Sequence, residues 1–295
     1  MILVTGATGN TGSALLKELH AHGAGPLRGL TRAAARAAFP EGVEAVEGDL
    51  AVPESRKAAL RGVRSLFLVS GLGPDAEIIE ATRRAGVEHV VLVSSITVRT
   101  HPHLGPAREK QTVERLLQDS GMAWTILRPT QFASNALMWA ATIRGHETVR
   151  APYPDTALPT IHPADIASVA RVALTGPGHQ GRTYALTGPA PVSARQQVEA
   201  IAAALGRDIP FAEISRQEAH AQMVAVFGEE AADAVLDVTG GDVNDELLAV
   251  RDTVLRVTGS PARPFRQWAA ENAAAFRADE ADARHADGDE RLAHS

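Results

Sequence analysis

Short apolar runs alternate with helical stretches through the first 130 residues, and this alternation constrains the fold more than any other feature. The runs are ILVTG (2–6), LRGLTR (27–32), VEAVEGD (43–49), SLFLVS (65–70), HVVLVSS (89–95) and AWTILRP (123–129). Between them, 11–22, 33–38, 53–61, 74–86 and 106–120 read as helices. The central runs are continuously apolar, the pattern of strands buried on both faces and so of a parallel sheet covered by helices. Repeated strand–helix–strand units cross over right-handedly. The expected class is α/β, a doubly wound parallel sheet.

Beyond residue 130 the rhythm changes. QFASNALMWAATI (131–143) reads as helical, a Pro-rich loop leads to a short strand near 158–161, and a helix starts at about 163. RTYALTGP (182–189) reads as another strand. In SARQQVEAIAAALG (193–206), Ser193 is placed to cap a helix and Gly206 to end it. Residues 215–277 read as mostly helical. The expected division is a dinucleotide-binding domain over 1–130, completed by segments around 155–188, with a smaller, mostly helical lobe from 131–154 and 189–277. Residues 278–295 have almost no large apolar side chains and are expected to form a disordered tail.

Composition narrows the function. The net charge of −6 gives no electrostatic reason to expect nucleic acid or an anionic membrane as partner. With no cysteine, disulfide frameworks, thiolate catalysis and zinc–thiolate sites are excluded. The N-terminus lacks a signal-peptide pattern, and no window approaches 18 consecutive apolar residues. A cytoplasmic protein, monomer or homodimer, acting on a small molecule is expected.

Glycines at 6, 9 and 12 follow the first strand and open the first helix. In that context the first permits a tight turn, the second lets backbone approach a diphosphate, and the third lets helix and strand pack closely. The helix N-terminus adds free N–H groups and a positive dipole end. Thr8, Asn10 and Thr11 supply short polar side chains at the same place. This is the Rossmann arrangement for a dinucleotide; the alternative is a tight strand–helix turn with no ligand. An NAD-reading site needs an acidic residue about 20 positions on. Arg32 stands there instead, with Arg36 a turn later. A guanidinium suits a 2′-phosphate, which favours NADP(H); the alternative is a solvated arginine at a helix start. Asp49, followed by Leu50, either accepts from the adenine amino group or caps a turn. Ser70, Gly71, Ser94 and Ser95 lie at carboxyl strand ends, where open α/β sheets bind ligands. A metal site is not expected: His101 and His103 lack a third ligand nearby.

The G-x-x-G-x-x-G spacing resembles the extended and atypical short-chain dehydrogenases/reductases. Ordinary members protonate a carbonyl with the tyrosine of Tyr-x-x-x-Lys. Here the two tyrosines, Tyr153 and Tyr184, are followed four residues on by Ala157 and Gly188, so that dyad is absent. ILVTGATGNTGSALL, VEGDL, VVLVSS, EKQTVERLLQDSGMAWTILRPTQFASN and IHPADIA together resemble the NmrA-like atypical group, as far as about residue 277. That group holds quinone and azo reductases, isoflavone-type reductases, ergot-alkaloid imine reductases, and regulators that bind the dinucleotide without turnover. The resemblance implies that Pro129, Thr130 and Phe132 lie beside the nicotinamide. It also implies that Lys110 matches the lysine of the isoflavone-reductase branch, holding the ribose or donating a proton; the alternative is a surface lysine paired with Glu114. Asn135, Trp139, Tyr153, His101 and His162 are candidates to face substrate.

Lacking a tyrosine acid, such a site suits an electron-poor acceptor (a quinone, an enone or an imine-like group) better than a simple ketone. The other reading is a non-catalytic NADP(H)-sensing regulator that binds a partner protein.

Overall fold

The computed structural model describes residues 1–277, so the expected tail lies outside the described residues. Nine strands form: β1 (Ile2–Val4), β2 (Leu27–Thr31), β3 (Glu44–Glu47), β4 (Ser65–Val69), β5 (His89–Val93), β6 (Ala123–Pro129), β7 (Val149–Ala151), β8 (Arg182–Leu186) and β9 (Phe211–Glu213). Seven make one sheet in the order β3-β2-β1-β4-β5-β6-β8, with every neighbouring pair parallel. Strand order runs outward in both directions from β1 and β4, so the topological switch point lies between them.

The helices are α1 (Asn10–Ala21), α2 (Pro53–Ala59), α3 (Asp75–Arg84), α4 (Thr97–Thr100), α5 (Gly105–Gln118), α6 (Ala140–Arg144), α7 (Pro163–Thr175), α8 (Ala194–Leu205), α9 (Arg216–Phe227), α10 (Glu229–Leu236), α11 (Asp245–Leu248), α12 (Thr253–Thr258) and α13 (Phe265–Glu271). Side chains alternate across each central strand and feed two cores. Val4, Phe67, Val91 and Leu127 pack with Leu15, Leu16 and Leu19 of α1, Ile166 and Val169 of α7, and Val254 of α12. Leu3, Leu66, Leu92 and Ile126 pack on the other face with Ile78 and Ile79 of α3 and with Val113 and Leu117 of α5.

A third core stands apart. Ala133, Ile143, Val149, Val198, Ile201, Phe265, Trp268 and Phe276 fill the lobe around α8 and α13. The ring of Trp268 lies 5.3 Å from Phe265 and 6.2 Å from Phe276. Helix α8 begins with a capping box of Ser193 and Gln196 and ends at Gly206, φ +69°.

Three expectations are corrected. Residues 33–38 form a single 3-10 turn, Ala34–Arg36, because no apolar stripe there meets the sheet. Residues 158–161 form isolated bridges, Leu158 with Val192 and Phe132 with Ile161, rather than a strand. The 131–143 stretch splits into a 3-10 segment, Ala133–Trp139, and α6. The parallel pair β7–β9 joins Val149 to Phe211 across a long sequence separation.

Candidate active site

The site is built at the carboxyl edge of the sheet. Thr5 ties β1 to β4 there: its hydroxyl donates to the Phe67 carbonyl at 3.0 Å and accepts from the Val69 N–H at 3.0 Å. The chain then turns at Gly6, φ +58°. Gly9 N–H donates to the Gly6 carbonyl at 2.9 Å. A Cβ on Gly12 would stand 2.2 Å from that same carbonyl oxygen, so only glycine lets α1 start so close to the loop. Gly9, at the N-cap, offers no side chain, and the first turn of α1 holds no acidic residue. Ser13 N–H donates to Gly9 at 2.9 Å, whereas the N–H groups of Asn10, Thr11 and Gly12 have no acceptor among the described residues. A bare, positively poised helix end fits a diphosphate. Thr8 and Asn10 are exposed beside it, and Thr11 is buried.

Arg32 follows β2 and is exposed, with no carboxylate within 4.0 Å among the described residues. The turn carrying Arg36 is held by Glu47, whose Oε2 accepts from Ala34 N–H at 3.1 Å. Asp49 caps a turn, Oδ1 accepting from Ala51 N–H at 2.8 Å, while its own N–H donates to Ser55 Oγ at 2.7 Å. Leu50 is buried, and its carbonyl accepts from Arg56 Nη1 at 2.8 Å.

The ends of β4 and β5 meet α5. Ser70 Oγ donates to the Val93 carbonyl at 3.1 Å and accepts from Lys110 Nζ at 3.1 Å. Gly71, at φ +85°, turns the chain away. Lys110 does not pair with Glu114, which Arg128 holds instead, Nε to Oε1 at 2.9 Å. Burial pushes the Lys110 ammonium below the ordinary lysine range; the charges of Asp75 and then Glu109 oppose this. Ser94 Oγ is buried without a hydrogen-bond partner among the described residues, a polar atom available to a bound group. Ser95 Oγ accepts from Thr97 N–H at 3.2 Å, just before α4. Pro129 and Thr130 are buried, and the Thr130 hydroxyl donates to the Pro159 carbonyl at 2.6 Å. Phe132 is half-buried against the first core.

Two candidates leave the substrate set. His101 is fully buried, with Nε2 donating to the Asp242 carbonyl at 2.5 Å and Nδ1 2.7 Å from the Thr100 hydroxyl. His162 caps α7, Nδ1 accepting from Ala164 N–H at 3.0 Å while Nε2 meets Glu271 at 3.1 Å. Both rings have spent their two nitrogens on the fold. Trp139 packs against the lobe core, and Asn135 is exposed. Tyr153, at φ +51°, accepts from Arg216 Nη1 at 3.3 Å. The acidic stretch 237–248 packs against α4, which follows β5: Asn244 Nδ2 donates to the Thr100 carbonyl at 3.1 Å, and Arg99 pairs with Glu246 at 2.9 Å. In sequence that stretch shows only polarity, which does not say what it covers.

A family described as NAD(P)H-binding matches residues 6–177, from the first cradle glycine through α7. The chain belongs to this NAD(P)H-binding family. Among relatives, a (4-alkanoyl-5-oxo-2,5-dihydrofuran-3-yl)methyl phosphate reductase from Streptomyces griseus is 40% identical, covering 94% of this chain and 99% of the relative. An NAD(P)H azoreductase from Xenophilus azovorans is 37% identical over 94% of this chain and all of its own length, 100%. An Escherichia coli NADPH-dependent quinone oxidoreductase, solved with NADPH, superposes with a TM-score of 0.75 at 25% identity, over 92% of this chain and 99% of its own. Family and relatives agree with the NmrA-like resemblance carried by the motifs. The match begins at Gly6, so it takes in the glycine turn and the open N-terminus of α1. No group of three or more potential metal-ligating side chains, and no helix long and apolar enough to cross a membrane, occurs among the described residues.

Proposed function

We propose that this protein reduces a small, electron-poor conjugated acceptor at the expense of NADPH. One observation carries the reading: a half-buried lysine, its ammonium hydrogen-bonded to Ser70 where β4 and β5 end, stands on the same carboxyl edge of the sheet as the glycine turn. NADPH, when bound, supplies hydride. The chain's own residues do the rest. The N–H groups of Asn10, Thr11 and Gly12 hold the diphosphate, Arg32 reads the 2′-phosphate, and Ser94 Oγ donates to the nicotinamide end. Lys110 Nζ holds a proton beside the acceptor, to be delivered to the oxygen or carbon that gains negative charge. The 237–248 stretch keeps water off the end of β5.

Chemistry narrows the acceptor. Without a tyrosine–lysine dyad to polarise a carbonyl before hydride arrives, the substrate must itself stabilise the charge left by hydride addition. Quinones, enones and imine-like groups do so; simple ketones do not. The furanone named for the Streptomyces griseus relative is an alkene with two carbonyls on one of its carbons, of the same class. We assign the cofactor-binding half to 1–130 with 155–188, and the substrate-covering lobe to 131–154 and 189–277.

The test is NADPH oxidation by the purified protein over quinones, acyl-substituted unsaturated lactones, imines and simple ketones. Turnover of the conjugated acceptors alone is expected, with Arg32→Glu weakening NADPH but not NADH. Turnover of ketones only would refute the substrate class. Tight binding of both redox forms with no turnover of anything would instead favour a dinucleotide sensor.

A further inference from the structure

The first turn of α3 carries a carboxylate that the reading above leaves without a task. Asp75 is the first residue of α3, after Pro74, whose ring cannot cap the helix by side chain. The Asp75 carboxylate reaches back instead, and both its oxygens accept from Gly71 N–H, at 3.2 and 3.0 Å. Gly71 sits at φ +85°, directly after Ser70. Fixing the Gly71 turn therefore fixes Ser70. The single hydroxyl proton of Ser70 goes to the Val93 carbonyl, so its lone pair is what remains for Lys110.

Lys110 has three N–H donors, and Ser70 takes one. Among the described residues no carboxylate approaches Lys110 Nζ within 4.0 Å. The charged groups that act on it are Asp75 from α3, with the larger attraction, and Glu109 from its own helix, which is exposed. A carboxylate in direct contact would occupy the ammonium and screen it from substrate. One tied to a backbone N–H nearby supplies charge while leaving the protons free.

We propose that Asp75 is a positioning residue for Lys110: one carboxylate clamps the Gly71 turn that presents Ser70, and its held-off negative charge keeps the Lys110 ammonium protonated with donors to spare. This rests on the role given to Lys110 above, but the coupling itself can be measured without turnover.

The experiment uses the full chain without cofactor. Lysines are labelled with acetic anhydride across a pH series, and the fraction modified at Lys110 is read by mass spectrometry. Asp75→Asn keeps an oxygen for Gly71 N–H but removes the charge. The Lys110 midpoint then falls, and labelling at neutral pH rises about tenfold, the equivalent of about one pKa unit. Glu109→Gln gives a smaller rise. The reciprocal arm follows the Asp75 carboxyl by carbon NMR in Lys110→Met, where its midpoint rises on loss of the cation. Should Asp75→Asn not fold, this arm decides alone. An unmoved midpoint in either arm overturns the inference. Unchanged turnover in Lys110→Met would sink the catalytic reading of Lys110 while leaving a measured coupling intact, so the two failures are distinguishable.

Discussion

The carboxyl ends of β1 and β5 lie on the same edge of one sheet and are made in opposite ways. At β1, the features that shape the cradle's backbone fall close together in sequence: the Gly6 turn, the Gly9 hydrogen bond and the Gly12 approach. At β5, the enclosure arrives from far along the chain. Asp242 meets His101, Asn244 meets Thr100, and Ile96 packs with Leu158 and Leu247. A site coded by backbone geometry needs particular residues at fixed spacing. A site coded by packing needs only that distant pieces meet.

Substitutions at the two ends break or sharpen this contrast. The largest effect is expected at β1. Gly12→Val forces a side chain onto the Gly6 carbonyl, costs about 1–3 kcal/mol of stability, and removes NADPH binding altogether in titration calorimetry; retained binding would show that the cradle tolerates rearrangement. At the reaction end, Lys110→Met lowers kcat for a conjugated acceptor about 100-fold while NADPH still binds, as steady-state rates and calorimetry together would show. At the β5 roof, Asn244→Ala loses both the α11 cap and the link to Thr100. It costs about 1 kcal/mol in urea unfolding. Asn244→Ser keeps a cap but not the link, so the difference between the two measures the roof alone.

The smallest effect concerns the opposite end of β5. His89 is buried against Thr125, and burial, with His179 adding to it, lowers its pKa from the ordinary 6.5. The unfolded chain therefore takes up the proton first. This contribution to stability is present above about pH 6.5 and is lost as the pH falls below it. His89→Gln is expected to flatten the pH dependence of the urea midpoint in that window.

How much of this the sequence discloses follows from the same contrast. The sheet was legible because buried parallel strands leave unbroken apolar runs such as HVVLVSS, and the family match bears out the expected NAD(P)H cofactor. Residues 33–38 misled because alanines favour helix anywhere, while only packing decides whether one persists. The β7–β9 pair was invisible: three-residue strands joining Val149 to Phe211 leave no local signature. His101 and His162 were candidates to face substrate because a histidine in a loop has the same letters whether it meets substrate or a main-chain carbonyl. Asp75 went unread because its partner is a backbone N–H, which no motif records.

The packing of α12 against the sheet has a practical consequence for anyone wishing to graft that sheet elsewhere. Val254 of α12 completes the core beneath α1 and α7, and Thr187, just past β8, exchanges hydrogen bonds with Arg251 through its hydroxyl. Cutting the chain after β8 would strip a wall from the very core that seats the glycine helix. The sheet with its helices is therefore not an excisable cassette, and chimeras should swap surface loops within an intact chain rather than transplant its first two hundred residues.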